Sequence, residues 1–182
     1  MERALITDTS VLLNILATEH AENILEDSGW NFSICKAVLG EALVLRNRET
    51  QESLPLDLTP HIQSGRLTVC ELAGESEYEL LVEFASLMGR GGDGEAMSFA
   101  IATSRSMPVA IDDQRAVKRA RQRFPALTTL TTTDVLMAWQ QRHGISATAM
   151  GRQLQRIQTW ACYYPGQKHP AYEWWKSCLA AA

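Results

Sequence analysis

Five carboxylates stand where the sequence could bring them together for chemistry. Asp8 directly follows a short apolar run, and Asp112 and Asp113 follow another. Glu95 comes just after a glycine-rich segment, and Glu41 lies among apolar residues. Like charges about 4 Å apart repel by roughly 4 kcal/mol at an effective dielectric constant of about 20, so protons or cations must relieve the repulsion. Oxygen ligands favour Mg²⁺ or Mn²⁺, which suit phosphodiester hydrolysis.

Each acid also has a purely structural explanation. Asp8 and Asp113 could cap the helices that follow them, and Glu95 could favour a helix N-terminus through the macrodipole. Glu41 could be a solvated helix residue, although its apolar neighbours argue against this. Capping does not account for acids after two separate apolar runs together with a further acid after the glycines. The combination therefore favours an active site.

The elements that must position these acids alternate between strand and helix patterns. Short apolar runs predict strands at residues 4–7, 30–35, 67–72, 108–111 and 127–130. Helical spacing predicts helices at residues 11–16, 20–27, 37–48, 58–63, 77–88, 95–105, 116–123 and 135–143. Polar residues 49–57 predict a loop, and the glycine-rich residues 89–94 predict a flexible one. Alternation of this kind is typical of a parallel sheet covered by helices on both faces.

We therefore expect an α/β fold: a three-layer α/β/α sandwich with a central, mainly parallel, roughly five-stranded sheet. Residues 1–145 form this domain, and residues 146–182 form a helical C-terminal extension packed on it. The functional crevice of such a sheet lies beyond the carboxyl ends of its strands. Asp8, Asp112 and Asp113 are predicted at that edge, and the helix opened by Glu95 faces it. Glu41 is predicted about one turn into the helix after the second strand.

Composition excludes several other classes of protein. A chain of 182 residues suits one domain. Its net charge of −4 argues against nucleic-acid binding through bulk positive charge, although a metal ion supplies such charge locally. The four cysteines and four histidines lack the spacings of zinc sites, so we expect reduced thiols and no zinc. No signal peptide or membrane-spanning run is evident, so we expect a cytoplasmic protein without membrane contact.

The order and spacing of the acidic motifs resemble those of PIN-domain ribonucleases, the family that includes VapC-type toxins of bacterial toxin–antitoxin pairs. The matching segments are residues 5–10, 38–41, 92–96 with 101–102, and 109–116 ending at Ala120. Together they cover roughly residues 3–140. The resemblance implies a Mg²⁺- or Mn²⁺-dependent endoribonuclease that hydrolyses phosphodiester bonds in single-stranded or looped RNA.

The same resemblance assigns roles to individual residues. Asp8 would be the first metal ligand, Glu41 the helix acid that completes the site, and Glu95 a ligand where many relatives carry aspartate. Asp112 and Asp113 compete for the remaining position, and both stay candidates as metal ligands and catalytic residues. The candidates for polar contacts around the ligands are Thr9, Ser10 and Thr132.

Basic residues and partners are less constrained by the sequence. The best local basic group for phosphate contact is Arg90, Arg115, Lys118 and Arg119, with Arg121 and Arg123 beyond it. A solvated helix face explains most of the same residues. The resemblance adds an antitoxin protein, which would place a basic side chain among the carboxylates or block the crevice, and a homodimer. The aromatic tail with Tyr172, Trp174 and Trp175 fits either packing on the domain or a partner contact.

Three other functions compete with this interpretation. A Mg²⁺-dependent phosphoryl-transfer or phospho-acceptor domain would need a second acid near Asp8, where Ser10 stands, or a lysine after the last strand. A dinucleotide-binding domain would need its glycine run after the first strand rather than at residues 89–94. A catalytically silent PIN-like domain that binds RNA or protein has the same acids, and the sequence does not separate it from an active enzyme.

Overall fold

Five parallel strands form the central sheet of the computed structural model, which describes residues 3–41, 43–89 and 92–182. The strands in chain order are β1 (Arg3–Thr7), β2 (Trp30–Cys35), β3 (Val44–Arg46), β4 (Ser53–Pro55), β5 (Thr68–Cys70), β6 (Val109–Ala110) and β7 (Thr129–Leu130). The sheet has the order β5-β2-β1-β6-β7, with every pair parallel. Strands β3 and β4 pair antiparallel in a separate hairpin.

Helices cover both faces of the sheet, which confirms the predicted three-layer α/β/α sandwich. They are α1 (Thr9–Leu16), α2 (Ala21–Asp27), α3 (Lys36–Leu39), α4 (Thr59–Gln63), α5 (Gly74–Met88), α6 (Asp93–Ser104), α7 (Gln114–Arg123), α8 (Thr132–His143), α9 (Ala147–Arg156) and α10 (Tyr172–Ala180). A π-helical turn, Ile157–Ala161, follows α9. Helices α5 and α6 pack together on one side, and α1, α2 and α8 pack together on the other.

The strands of the sheet are apolar because helices cover them from both sides. In β1, Leu5 and Ile6 are both fully buried, although their side chains point to opposite faces. In β2, the adjacent residues Ile34 and Cys35 are buried in the same way. Burying apolar surface on both faces stabilises the sheet by about 25 cal/mol for each Å² removed from water. This rigid sheet fixes the loops at its carboxyl edge.

The C-terminal extension is helical, as predicted, and its side chains hydrogen-bond to the rest of the domain. Gln153 accepts a hydrogen bond from the Glu19 backbone amide at 2.9 Å. The indole nitrogen of Trp174 donates to the Gln140 side chain at 2.8 Å. Trp175 is fully buried. None of the helices in the described residues combines the length and the apolar character that crossing a membrane requires.

The predicted helix at residues 37–48 is wrong beyond Leu39. Helix α3 ends at Leu39, the chain turns at Gly40, and β3 begins at Val44. The hairpin formed by β3 and β4 also replaces part of the loop predicted at residues 49–57. A short apolar run with mixed spacing fits either a helix or a strand, and here pairing between the strands and burial of Leu45 decide for the strand. Ala42, which the predicted helix included, lies outside the described residues.

Helix α6 begins at Asp93, inside the glycine-rich loop predicted at residues 89–94. Residues 90 and 91 of that prediction lie outside the described residues. Gly89 ends α5 with a φ of 81°, a conformation that favours glycine. Gly92 is needed for another reason, since a Cβ there would lie 2.7 Å from the Cβ of Met88. These two glycines bring the end of α5 and the start of α6 close together, and Glu95 lies in the first turn of α6.

Candidate active site

The ends of β1 and β6 bring the first acid to the carboxyl edge of the sheet. Thr7 pairs with Ala110, and the Asp8 backbone amide donates a hydrogen bond to the Ala110 carbonyl oxygen at 2.9 Å. Asp8 therefore lies beside the segment that continues into Asp112 and Asp113. Because all five strands are parallel, the residues that follow them share this edge.

Asp8 caps α1 with only one of its two carboxylate oxygens. Oδ2 accepts hydrogen bonds from the backbone amide of Ser10 at 3.2 Å and from the Ser10 hydroxyl at 2.7 Å. Oδ1 accepts no hydrogen bond among the described residues. The buried hydroxyl of Thr9 likewise has no hydrogen-bond partner there. Asp8 is 8% exposed. It can therefore cap α1 through Oδ2 and bind a ligand through Oδ1.

Glu95 lies where the other acids meet. Burial raises the pKa of Glu95, and the negative charges of Asp8, Asp113 and Glu41 raise it further, while the positive charge of Arg119 offsets part of this increase. Three acids and one base therefore act on a single half-buried carboxylate. Such an excess of negative charge is typical of sites that bind cations, although ion-pair networks in structural roles also shift pKa values.

Glu41 reaches this group from a different local structure than the sequence predicted. It follows the end of α3 instead of lying one turn inside a helix, and its backbone amide donates to the Val38 carbonyl oxygen at 3.2 Å. Its side chain is exposed and points to the start of α6, because a Cβ on Gly94 would lie 3.1 Å from Oε1 of Glu41. The turn at Gly40 thus places Glu41 beside the helix that carries Glu95.

Asp112 uses both of its carboxylate oxygens within the fold. Oδ1 accepts a hydrogen bond from the Thr132 amide at 2.9 Å. Oδ2 accepts one from the Thr132 hydroxyl at 2.6 Å and one from the Asn14 side chain at 3.0 Å. Burial raises the pKa of Asp112, while interactions with Thr132, Tyr163 and Asn14 act in the opposite direction. Its surroundings are those of an internal hydrogen-bonded carboxylate.

Asp113 has the opposite character, since it is exposed and keeps one oxygen free. It caps α7, with Oδ1 accepting hydrogen bonds from the backbone amides of Arg115 at 2.7 Å and Ala116 at 3.1 Å. Oδ2 accepts no hydrogen bond among the described residues. Its charge acts on Glu95, whereas that of Asp112 is not among the charges that raise the Glu95 pKa. The group that meets at Glu95 is therefore Asp8, Glu41, Glu95 and Asp113, hereafter the acidic group.

The predicted basic residues also differ in whether they form hydrogen bonds within the fold. Arg119 donates hydrogen bonds to the carbonyl oxygens of Leu87 and Met88 at the end of α5, at 3.4 and 3.2 Å. Arg115 and Lys118 are exposed on α7. Arg90 lies outside the described residues. Arg119 thus has a structural role beside the acidic group, and α7 presents Arg115 and Lys118 to solvent.

The acidic group fits Mg²⁺ or Mn²⁺ in the chemistry of its donors, which are all carboxylate oxygens. Asp8 and Asp113 each have an oxygen that no described residue occupies. No three His, Cys, Asp or Glu side chains of the described residues, however, are already gathered closely enough to hold a metal ion. Binding an ion would require the flexible side chains of Glu41 and Glu95 to turn toward the two aspartates.

Two residues around the acids were missed by the sequence analysis. Asn14 is 2% exposed and donates hydrogen bonds both to Asp112 and to the Thr132 hydroxyl, the latter at 2.9 Å. A polar residue on the apolar face of α1, next to Ile15, was a usable signal for it. Tyr163 interacts with Asp112 from the C-terminal extension. No sequence signal identifies Tyr163, because its place depends on the path of the chain after the π-helical turn.

No family model matches this chain, and no curated protein or solved structure matches it either. The resemblance to PIN-domain ribonucleases therefore rests on the acidic motifs alone.

Proposed function

We propose that this chain is a divalent-metal-dependent endoribonuclease of the cytoplasm that hydrolyses RNA phosphodiester bonds. The observations that carry the proposal are that the charges of Asp8, Asp113 and Glu41 all act on the half-buried carboxylate of Glu95, and that Glu41 Oε1 lies beside Gly94 in the first turn of the helix that carries Glu95. The acids come from four separate segments, and Asp8 and Asp113 lie at the edge of the sheet where α/β proteins bind their ligands. A cation would relieve the repulsion that this arrangement creates.

Within the proposal, Asp8, Glu95 and Asp113 hold the ion, and Glu41 completes the site. Such an ion, when bound, would supply a water of lowered pKa and stabilise the charge on the scissile phosphate. Ser10 fixes the orientation of Asp8 through its two hydrogen bonds, which leaves Oδ1 available. Asp113 is preferred to Asp112 as the fourth acid because both oxygens of Asp112 are already engaged.

The choice of RNA as substrate, and the proposed regulation, rest on the motif resemblance. An antitoxin protein would silence the site by placing a basic side chain among the carboxylates or by covering the crevice. A homodimer belongs to the same proposal. Fold-level similarity alone does not establish function, so each of these needs its own test.

A second candidate is a PIN-like binding module that has lost catalysis. The observation that favours it is that the described residues contain no ready-made group of three metal-binding side chains. The enzyme is favoured instead by Asp8 and Asp113, because each has one carboxylate oxygen that accepts no hydrogen bond among the described residues and so stays open to an ion. The two candidates differ in whether RNA is cut in the presence of metal.

The test is cleavage of a pool of structured RNA by the purified chain with Mg²⁺, with Mn²⁺ and with EDTA. Asp8→Asn removes one charge of the acidic group while keeping a residue that caps helices well. Glu79→Gln, an exposed residue on α5, is the matched control. We expect cleavage that requires metal, is lost in Asp8→Asn and persists in Glu79→Gln. Absence of cleavage with both metals, or equal cleavage by Asp8→Asn, would reject the proposed enzyme.

A further inference from the structure

A cavity of about 390 Å³ opens between the segment after β3 and the π-helical turn. Its lining includes Arg48, Glu49, Gln158, Thr159, Tyr163 and Tyr164. Two parts of the chain that are far apart in sequence thus form one polar and aromatic surface. We refer to it below as the tyrosine cavity.

The two sides of the tyrosine cavity are held together by the backbone. The Arg48 amide donates a hydrogen bond to the Thr159 carbonyl oxygen at 2.8 Å. Thr159, which accepts this hydrogen bond, belongs to the π-helical turn. In proteins, π-helical turns are frequent at functional sites. This hydrogen bond therefore holds the turn that carries Arg48 against the π-helical side of the cavity.

Tyr164 offers a fixed aromatic surface to this cavity. Its ring makes edge-to-face contacts with Tyr172, at 6.0 Å between centroids, and with Trp175, at 6.2 Å. Trp175 is fully buried and anchors the pair, yet Tyr164 itself remains 46% exposed. An aromatic ring that is held from its edges and open to solvent is well suited to stacking with a planar partner.

The π-helical turn that forms one side of the tyrosine cavity also packs against α1, the helix that Asp8 caps. The same turn packs against β3. Tyr163 follows the turn and lines the cavity. The cavity is therefore attached to the helix that begins at the carboxyl edge of the sheet.

Arg48 gives the cavity a positive charge. Its side chain is exposed and, across residues 3–41, 43–89 and 92–182, it forms no ion pair. A guanidinium with free donors binds phosphate oxygens well, because its planar fork matches their geometry. Glu49 is the acidic residue among those that line the cavity, and it also is exposed. A ligand with an uncharged planar group beside a phosphate would stack on Tyr164 and bind Arg48 at the same time.

We propose that the tyrosine cavity binds single-stranded RNA, with a base stacked on Tyr164 and a phosphate held by Arg48. This inference rests on the proposed function, since it identifies where the proposed enzyme holds its substrate. Single-stranded RNA is recognised through bases that stack on aromatic side chains and phosphates that pair with basic ones. Gln158 is placed in the same cavity to meet the polar edge of a base.

The experiment is fluorescence anisotropy of a labelled single-stranded RNA in EDTA, so that binding is measured without cleavage. The variants are Tyr164→Ala, Tyr164→Phe and Arg48→Ala in the full chain. Tyr78→Ala, an exposed tyrosine on α5, and Arg3→Ala, an exposed arginine at the start of β1, are the matched controls. Thermal unfolding of each variant verifies that it is folded.

We expect Tyr164→Ala to weaken binding about tenfold, the size of effect seen when a stacked base loses its aromatic partner. Tyr164→Phe keeps the ring and is expected to bind as the original chain does. Arg48→Ala is expected to reduce the slope of log affinity against log salt by about 0.7, because one phosphate contact is lost. Tyr164→Ala should leave that slope unchanged, and both controls should leave the affinity unchanged.

Equal binding by Tyr164→Ala and the original chain, or an unchanged salt slope in Arg48→Ala, would overturn the tyrosine cavity as an RNA site. The RNA site would also be overturned if the cavity variants lost binding to a protein partner while their binding to RNA was unchanged. Cleavage by the original chain in Mn²⁺ is measured in parallel. If RNA is cut but these variants bind normally, the inference fails while the proposed enzyme stands. If RNA binds through Tyr164 but is never cut, the enzyme fails and the cavity stands.

Discussion

Asp112 and Thr132 are joined by two hydrogen bonds, from the Thr132 amide to Oδ1 at 2.9 Å and from the Thr132 hydroxyl to Oδ2 at 2.6 Å. The pair connects the end of β6 to the start of α8, just after β7. Asn14 adds a third bond from α1, at 3.0 Å. One buried carboxylate therefore ties three segments together at the edge where the acidic group lies.

We expect substitution of Asp112 to lower stability and substitution of Asp113 to abolish cleavage. Asp112→Ala leaves the amide and hydroxyl of Thr132 buried without their acceptor and removes one of the two acceptors of Asn14, so it should lower the free energy of unfolding by about 1–3 kcal/mol. Asp113→Asn keeps a good helix cap and should change that free energy by less than about 0.5 kcal/mol. It should nevertheless abolish RNA cleavage. Urea unfolding and the cleavage assay measure the two effects.

The opposite pattern would show that the roles are exchanged. A stable Asp112→Ala variant that no longer cleaves RNA, together with an active Asp113→Asn variant, would make Asp112 the functional acid. The sequence could not decide between these neighbours because both follow the same strand. Only the contacts of Asp112 with Thr132 and Asn14, which are distant in sequence, distinguish them.

We expect Glu95→Gln to stabilise the chain at neutral pH while removing cleavage. Burial and the charges of Asp8, Asp113 and Glu41 raise the pKa of Glu95 above its ordinary value of 4.5, so its charge destabilises the fold. Gln removes this charge, and the gain should reach about 1 kcal/mol at most because the site is partly solvated. Stabilisation by loss of a functional charge is typical of active sites.

The stabilising effect of Glu95→Gln should depend on pH. Above the raised pKa the carboxylate is charged in the folded state, and the advantage of Glu95→Gln is fully present. Below pH 4.5 the side chain is protonated in both the folded and unfolded states, and the advantage disappears. Urea unfolding at pH 7 and pH 4 without metal measures the difference. A variant that is less stable than the original chain at pH 7 would contradict the proposed repulsion.

We expect Arg105→Ala to be strongly destabilising. The guanidinium donates from Nε to Oε1 of Glu77 at 2.7 Å and from Nη2 to Oε2 at 3.0 Å. Glu77 is 4% exposed, so its loss of a partner would leave a buried charge and lower the free energy of unfolding by about 3–5 kcal/mol. The exposed pair of Arg142 with Asp27, also at 2.7 Å, is the matched control. Arg142→Ala should cost about 1 kcal/mol or less.

The effect of Arg105→Ala should also depend on pH. Hydrogen bonds from Arg105 lower the pKa of Glu77 below its ordinary value of 4.5. The pair therefore contributes its full stability above pH 4.5 and loses it as the pH falls through the lowered pKa. Chemical unfolding at pH 7 and at pH 3 measures this, and the difference between Arg105→Ala and the original chain should narrow at the lower pH. A difference that widened there would refute this account of the pair.

The sequence predicted the sheet and most of the helices because apolar runs and helical spacing alternate clearly along the chain. It failed at Glu41, where a turn and a hairpin replace a helix, because pairing between β3 and β4 depends on contacts that periodicity does not report. It also missed Tyr163, which approaches Asp112 only through the fold of the extension. The acids themselves were identifiable because parallel strands place their carboxyl ends at one edge.

The most direct test of the central claim is titration calorimetry of Mn²⁺ binding, since the account requires the acidic group to hold a divalent ion. We expect the original chain to bind Mn²⁺, and Asp8→Asn and Glu95→Gln each to weaken binding about tenfold or more, because each removes a ligand charge. Asp112→Asn should affect Mn²⁺ affinity less, because its oxygens already serve Thr132 and Asn14. No Mn²⁺ binding by the original chain, or equal binding by Asp8→Asn, would contradict the account.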